Sequence, residues 1–331
     1  MMKLKILSSR DISQVTTMTE AIAAVKEAYV QLSTGKAVMP LRTQVPVQSR
    51  DGMTLFMPAY LTTSDALGTK IVSVFPENLK RNLPTIHAVV ITVNTETGKP
   101  QAIMDGTYLT ALRTGAASGV ATELMARTEA CVTAIMGAGV QARPQLEAVC
   151  TVRAVEKVWV YDCVPEAAAA YVKDMKVHGT PIPGDISVAE SPAQAVREAD
   201  IICTATTSFK PVFNDDDLKQ GVHINGVGSY TPEMQEIPSE TVVRSKVVVD
   251  SRSACLAEAG DLIIPLKEGL ITEDHIHGEI GEVAAGVLAG RESDYEVTFF
   301  KSVGLAVQDV AVAELIRQKA EELGLGADVE I

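Results

Sequence analysis

Between Cys131 and Asp162 the chain passes from a short apolar segment through a glycine turn and a helix-forming stretch to a second apolar segment that closes on an acid. Cys131-Val132-Thr133-Ala134-Ile135-Met136 leads into Gly137-Ala138-Gly139-Val140-Gln141-Ala142, and Val158-Trp159-Val160-Tyr161 ends on Asp162, 25 positions after Gly137. Strand, glycine turn, helix, strand and acid at this spacing form the layout of a dinucleotide fingerprint. Gly137 permits the tight turn, Gly139 lets the backbone approach a pyrophosphate, and Ala142 keeps the helix close to the strand. The helix N-terminus offers N–H donors and a positive dipole end to the phosphates. Asp162 suits the adenosine ribose hydroxyls, and its charge repels a 2′-phosphate. Cys163, Val164 and Pro165 follow it, with no Arg or Lys at once, so NAD(H) is expected, with NADP(H) as the alternative. The bland reading is a strand–helix turn that merely contains two glycines.

At 331 residues the chain is long enough for two domains, and 47% hydrophobic residues suit a globular core. The net charge of −13 has acids and bases interspersed, which argues against nucleic acid or an anionic membrane as partner. No apolar run reaches the length of a membrane span, and Met1-Met2-Lys3-Leu4-Lys5 lacks the pattern of a signal peptide. Cys131, Cys150, Cys163, Cys203 and Cys255 are scattered without a CxxC pair. They read as reduced thiols of a cytoplasmic protein.

Thr19 is a candidate cap for a helix over Glu20 to Leu32, with Ile22, Val25, Tyr29 and Leu32 on one face. Strand-like segments follow at Thr54–Phe56, Gly68–Val74 and His87–Asn94, and the turn Thr95-Glu96-Thr97-Gly98-Lys99-Pro100 makes a hairpin with Gln101–Met104. A long helix near Leu109–Ala126 leads to the strand at Cys131. From there strands and helices alternate, with further strands at Asp200–Thr204, Val222–Val227 and Lys246–Asp250. Such alternation predicts a doubly wound parallel α/β sheet of Rossmann type over 115–305. The front part, 1–114, is expected to be a separate α+β domain, completed by a C-terminal helix near Val307–Leu323 within 306–331.

Several segments carry a family resemblance: Met39-Pro40-Leu41-Arg42-Thr43, Met57-Pro58-Ala59-Tyr60, Gly68-Thr69-Lys70-Ile71-Val72, Leu83-Pro84-Thr85 and Thr110-Ala111-Leu112-Arg113-Thr114-Gly115-Ala116. Further along come Gly137–Ala142, Gly221-Val222-His223-Ile224-Asn225-Gly226-Val227-Gly228, Arg291-Glu292-Ser293-Asp294 and Lys301–Asp309. In this order they resemble the ornithine cyclodeaminase/mu-crystallin family over nearly the whole length. The resemblance implies a homodimer built through the N-terminal domain, and an active site in the cleft between domains. It also implies dinucleotide contacts from Thr85, Arg113, Gly137, Gly139, Val140, Gln141, Asp162, Thr204, Asn225, Gly226, Val227, Gly228 and Ser302. Arg42, Lys70, Arg113, Tyr230 and Val303 would face a small imino or amino acid, with Lys70 catalytic.

One departure is informative. Where cyclodeaminases of the family carry a segment like Gly-Ala-Asp-x-Pro-Gly-Lys, this chain reads Gly228-Ser229-Tyr230-Thr231-Pro232-Glu233-Met234-Gln235-Glu236. Tyr230 stands where the catalytic Asp would be. With Glu258-Ala259-Gly260-Asp261-Leu262 and Pro265-Leu266-Lys267-Glu268-Gly269, the chain looks like the 1-pyrroline-2-carboxylate reductase branch of cyclic-imine reductases. The expected reaction is hydride transfer to a C=N carbon, yielding L-proline. Alternatives are ornithine cyclodeaminase, an alanine-type amino-acid dehydrogenase, and an NAD(P)H-gated binding protein.

Arg42 and Arg113 suit a carboxylate, because a guanidinium binds it with two parallel hydrogen bonds. Lys70 can donate to an imine nitrogen. On residue type alone, each is as readily a solvated surface charge. Gln308 and Asp309 are either cleft residues or a capping pair at a helix start, and Tyr230 either lines the pocket or packs beneath a nicotinamide. His275-Ile276-His277-Gly278-Glu279 reads as a turn into a helix rather than a metal site. His223 reads as a satisfied core histidine, and Asp215-Asp216-Asp217 as a solvated helix N-terminus.

Overall fold

The computed structural model describes residues 2–331, which divide into two compact units. One comprises the chain up to Arg113 together with Leu305–Ile331; the other is the continuous stretch Thr114–Gly304. Among the described residues no helix is long and apolar enough to cross a membrane.

The first unit is built on an eight-stranded sheet. In spatial order the strands are Ala327–Glu330, Lys3–Leu7, Pro100–Asp105, Ile86–Val93, Ala66–Val74, Gly52–Leu61 and Ala37–Val38, with Thr43–Val47 also paired to Gly52–Leu61. All pairs are antiparallel except Lys3–Leu7 with Pro100–Asp105. Successive strand residues point to opposite faces. Met57, Ala59, Leu61, Lys70, Val72, Val90 and Met104 are buried beneath the helices Met18–Ser33 and Ala306–Glu322. Alternate positions such as Phe56 and Val89 stay 39% exposed. The first of these helices begins earlier than the sequence predicted. Thr17, not Thr19, is its cap, because only Thr17 has an acid three residues on: Glu20 N–H donates to Thr17 Oγ1 and Thr17 N–H to the Glu20 carboxylate.

The second unit carries eight parallel strands ordered Asp185–Val188, Lys157–Tyr161, Val132–Met136, Ile201–Thr204, His223–Gly226, Thr298–Lys301, Lys246–Val249 and Ile276–Glu279. Both faces are apolar, as a parallel sheet wrapped on two sides requires. Ile135, Val158, Val160 and Cys203 pack with Leu146, Val149 and Tyr171 on one face. Met136, Ile202, Ile224, Val249 and Phe299 pack with Val196, Val242 and Leu262 on the other. This is the doubly wound Rossmann-type architecture. The order of connections reverses between Val132–Met136 and Ile201–Thr204, the switch point where such sheets bind nucleotides. The long helix Gly106–Met125 is continuous from the first unit into the second. Within the second unit a Cβ on Gly115 would lie 2.4 Å from the Pro144 carbonyl oxygen, so only glycine lets the two backbones approach there.

One segment departs from expectation. Ile276–Glu279 is not part of a turn into a helix but a parallel edge strand on Lys246–Val249, and the helix starts only at Ile280. The alternation explains it: Ile276 and Gly278 are buried while His277 faces out.

Candidate active site

Lys70 lies in mid-strand on the helix-covered face, only 2% exposed, and its charge is met by Asp309 in the first turn of Ala306–Glu322. Lys70 Nζ sits 3.0 Å from Asp309 Oδ1 and 2.8 Å from Oδ2. Arg113 Nε donates to Asp309 Oδ1 at 2.9 Å, and Arg113 Nη1 donates to Gln308 Oε1 at 2.7 Å. Gln308 Oε1 also accepts from Leu305 N–H, and its Nε2 donates to the Tyr29 hydroxyl. The pair Gln308 and Asp309 therefore fills both roles that the sequence left open: one caps the helix, and the other anchors two cations.

Three positive groups and one carboxylate share this region. Burial pushes Lys70 down to about 8, the neighbouring Arg113 and, more weakly, Arg42 push the same way, and Asp309 opposes them. Lys70 thus releases its proton more readily than an ordinary lysine. Asp309 offsets one of these positive charges and accepts from both Lys70 Nζ and Arg113 Nε. Arg42 is half-buried in the segment before Thr43–Val47. Such an excess of buried positive charge suits a small carboxylate ligand.

In the second unit the glycine turn has the geometry a pyrophosphate needs. Gly137 has φ +94° and abuts Thr206, whose Cγ2 would lie 2.7 Å from an added Cβ. A Cβ on Gly139 would meet nothing within 4 Å, so the backbone is open where a ligand must come close. Val140 beside it is 70% exposed, Gln141 is half-buried at the helix start, and Ala142 is wholly buried against the strand. Asp162 Oδ2 accepts from Ala138 N–H at 2.7 Å and Oδ1 from Val164 N–H at 2.8 Å. The acid is fixed to the turn it serves, with lone pairs left on each oxygen for ribose hydroxyls. These residues fit a dinucleotide.

The sequence model of the ornithine cyclodeaminase/mu-crystallin family matches residues 2–324. The chain belongs to this family. The Δ1-pyrroline-2-carboxylate reductase of Thermococcus litoralis, solved with NADH and L-proline, superposes with a TM-score of 0.94 at 46% identity, covering 98% of this chain and 100% of that one. A Δ1-pyrroline-2-carboxylate reductase of Bacillus cereus is 42% identical over 327 residues, covering 98% of this chain and 99% of its own. An archaeal alanine dehydrogenase dimer with bound NAD has a TM-score of 0.92 at 36% identity and full coverage of both chains.

The remaining residues expected from the family pattern fall into two groups. Thr85, in a loop, is half-buried and its carbonyl accepts from Phe75 N–H. Tyr230 is 45% exposed, and Val303 is half-buried with its N–H on Asp250. The others are enclosed, apart from the half-buried Val227. Asn225 is wholly buried: its Nδ2 donates to Thr122 Oγ1 at 3.0 Å, and its Oδ1 meets His223 Nε2 at 3.2 Å. Its side chain is committed to these partners within the core. Thr204 Oγ1 donates to Glu236, Val227 N–H to the Thr204 carbonyl, and Gly228 N–H to Glu236. The Gly226 carbonyl accepts from Ser302 N–H and Lys301 Nζ, and the Ser302 hydroxyl donates to Asp250. His223 is driven down to about 3 by burial, then by Arg291, and is a neutral core histidine.

Glu236, Asp261 and Lys301 are also fully buried, and no sequence motif marks a role for them. All three lie inside segments that carry the family resemblance, but that position says nothing of their burial. Among the described residues no group of three or more His, Cys, Asp or Glu side chains is arranged to hold a metal.

Proposed function

We propose that the protein is an NAD(H)-dependent reductase of a small cyclic α-imino acid, converting 1-pyrroline-2-carboxylate to L-proline. The observation that carries this reading is the buried cluster of Lys70, Arg113 and Asp309, two cations on one carboxylate, with Lys70 poised near 8. Arg113 and Arg42 hold the substrate carboxylate. Lys70 keeps a proton at Nζ for the imine nitrogen, which takes it as the C=N π pair moves onto nitrogen. When bound, the reduced nicotinamide supplies the hydride to the imine carbon. Asp309 keeps Lys70 charged in a site that would otherwise discharge it. Tyr230 replaces the acid that a cyclodeaminase would use on a diamino acid, and this favours reduction over ornithine cyclisation.

NADH is preferred over NADPH because Asp162 puts a carboxylate where a 2′-phosphate would lie. The relatives solved with NADH and NAD support the same cofactor. The protein works as a homodimer: Val45, Phe56 and Val89 leave an apolar strand face 39 to 45% exposed. Buried thiols at Cys150, Cys203 and Cys255 suit a reducing cytoplasm.

Purified protein should oxidise NADH on adding 1-pyrroline-2-carboxylate and form L-proline. Failure with both this imine and its six-membered homologue would overturn the reading. The similarity to the archaeal alanine dehydrogenase favours a second one, in which an open-chain imine forms from pyruvate and ammonia at the same cations. Turnover with pyruvate and ammonia that exceeds turnover with the cyclic imine would select it.

A further inference from the structure

The ends of three neighbouring strands in the Thr114–Gly304 unit, Ile201–Thr204, His223–Gly226 and Thr298–Lys301, are tied together by charges that never reach water. Glu236 Oε1 accepts from Thr206 N–H at 2.6 Å and from Thr206 Oγ1 at 2.8 Å. Its Oε2 accepts from Gly228 N–H at 2.7 Å, Thr204 Oγ1 at 2.9 Å and Ser229 N–H at 3.2 Å. Glu236 and Ile237 N–H donate to Asp261 Oδ1, while Asp261 Oδ2 lies 3.1 Å from Lys301 Nζ, which donates to the Gly226 carbonyl. Two buried acids share one buried lysine. Such a group is a poor device for stability alone, since apolar packing of equal volume is commonly as stable or more so.

Its placement suggests what it is for. In a doubly wound sheet the dinucleotide crosses the switch point, with the adenosine half over the strands that end in the glycine turn and the ribose-binding acid. The nicotinamide half then lies over the other three strand ends, whose loops Thr204–Ser208 and Gly226–Ser229 are those that Glu236 draws together. Thr206, held twice by Glu236, also abuts Gly137. We propose that Glu236 is a positioning residue for the nicotinamide half of the cofactor, acting through the backbone of these two loops and touching neither cofactor nor substrate. Glutamine cannot replace it, because one side-chain oxygen would become an NH2 group facing N–H and O–H donors.

The inference rests on the NAD(H) reading above, and the test separates the two. Calorimetric titration with ADP reports the adenosine half, and titration with NADH reports the whole cofactor. Glu236→Gln should leave ADP affinity within about twofold and weaken NADH at least tenfold, with KM for NADH rising more than KM for the imine. Glu236→Asp keeps the charge one methylene short and should fall between; it also serves if the glutamine variant does not fold. Asp200→Asn removes a buried acid that accepts from Arg127, Lys219 and the Cys131 and Val132 N–H groups at the opposite end of the sheet. It should lower Tm without changing the ratio of the two affinities. A Glu236 variant that loses ADP and NADH equally, or neither, overturns the assignment. A wild type that binds ADP but not NADH overturns the cofactor reading instead.

Discussion

Replacing Asp309 by Asn removes the negative charge that Lys70 and Arg113 share and keeps nearly the same shape. Lys70 stands near 8 because burial and its cationic neighbours push it down while Asp309 holds it up. At 2.8 Å and an effective dielectric of about 20, the Coulomb attraction is at most ~6 kcal/mol. Losing even half of that, ~3 kcal/mol, lowers the lysine by about two units, to roughly 6. If Lys70 must carry a proton to meet the imine nitrogen, wild-type kcat/KM falls as pH rises through about 8. In the variant that limb moves to roughly pH 6, so the loss relative to wild type is on the order of 50-fold at pH 8 and slight at pH 5. The assay is initial NADH oxidation from pH 5 to 9.5 for both proteins with one substrate, so that the substrate's own titration cancels in the ratio. A variant whose limb stays near 8, whatever its amplitude, would show that Asp309 does not set the protonation of Lys70.

Lys70→Met should abolish reduction yet leave Tm at pH 7 equal or higher. A folded pKa of about 8 against an ordinary 10.5 means that the native state binds fewer protons than the unfolded one between those values, so wild-type stability rises with pH through that window. Below it the buried charge costs about 3 kcal/mol, and the advantage of the Met variant in thermal melts should shrink from pH 8 to 10.5. Asp162→Ser loses a charge-assisted bond to Ala138 N–H and the ribose acceptor, so NADH should weaken roughly 10- to 100-fold and the NADPH-to-NADH ratio of kcat/KM should rise. Phe56→Glu puts a charge on the exposed strand face and should shift sedimentation from dimer to monomer; an unchanged dimer would remove that face from the interface.

The second unit was legible because its strands are continuous apolar runs that end on turn residues, a pattern that parallel sheets impose and helices do not. Cys131–Met136 and Val158–Tyr161 are of this kind, and they gave the glycine turn and Asp162 their places. The edge strand Ile276–Glu279 was not legible, since four residues holding one His and a Gly carry too little β signature. Burial of charge is the other blind spot. Glu236, Asp261 and Lys301 are residue types that usually sit in water, and nothing local marks them as enclosed. Asp309 was visible only as an acid at a helix start. Its two cations come from positions 70 and 113, a separation that no local pattern spans.

The Thr114–Gly304 unit is one unbroken stretch of chain, but its sheet cannot be completed in the order in which a ribosome delivers it. Thr298–Lys301, the last strand made, belongs between His223–Gly226 and Lys246–Val249, so a nascent chain short of it holds a slot open in the middle of the sheet. The flanking unit waits longer still: its first strand, Lys3–Leu7, pairs with Ala327–Glu330, and its sheet stays bare until Ala306–Glu322 has emerged. Loss of the final thirty or so residues would therefore strand the earliest part of the protein, while the internal stretch keeps every strand it needs. Truncation ahead of Ala306 should be as damaging as truncation in the middle of the chain.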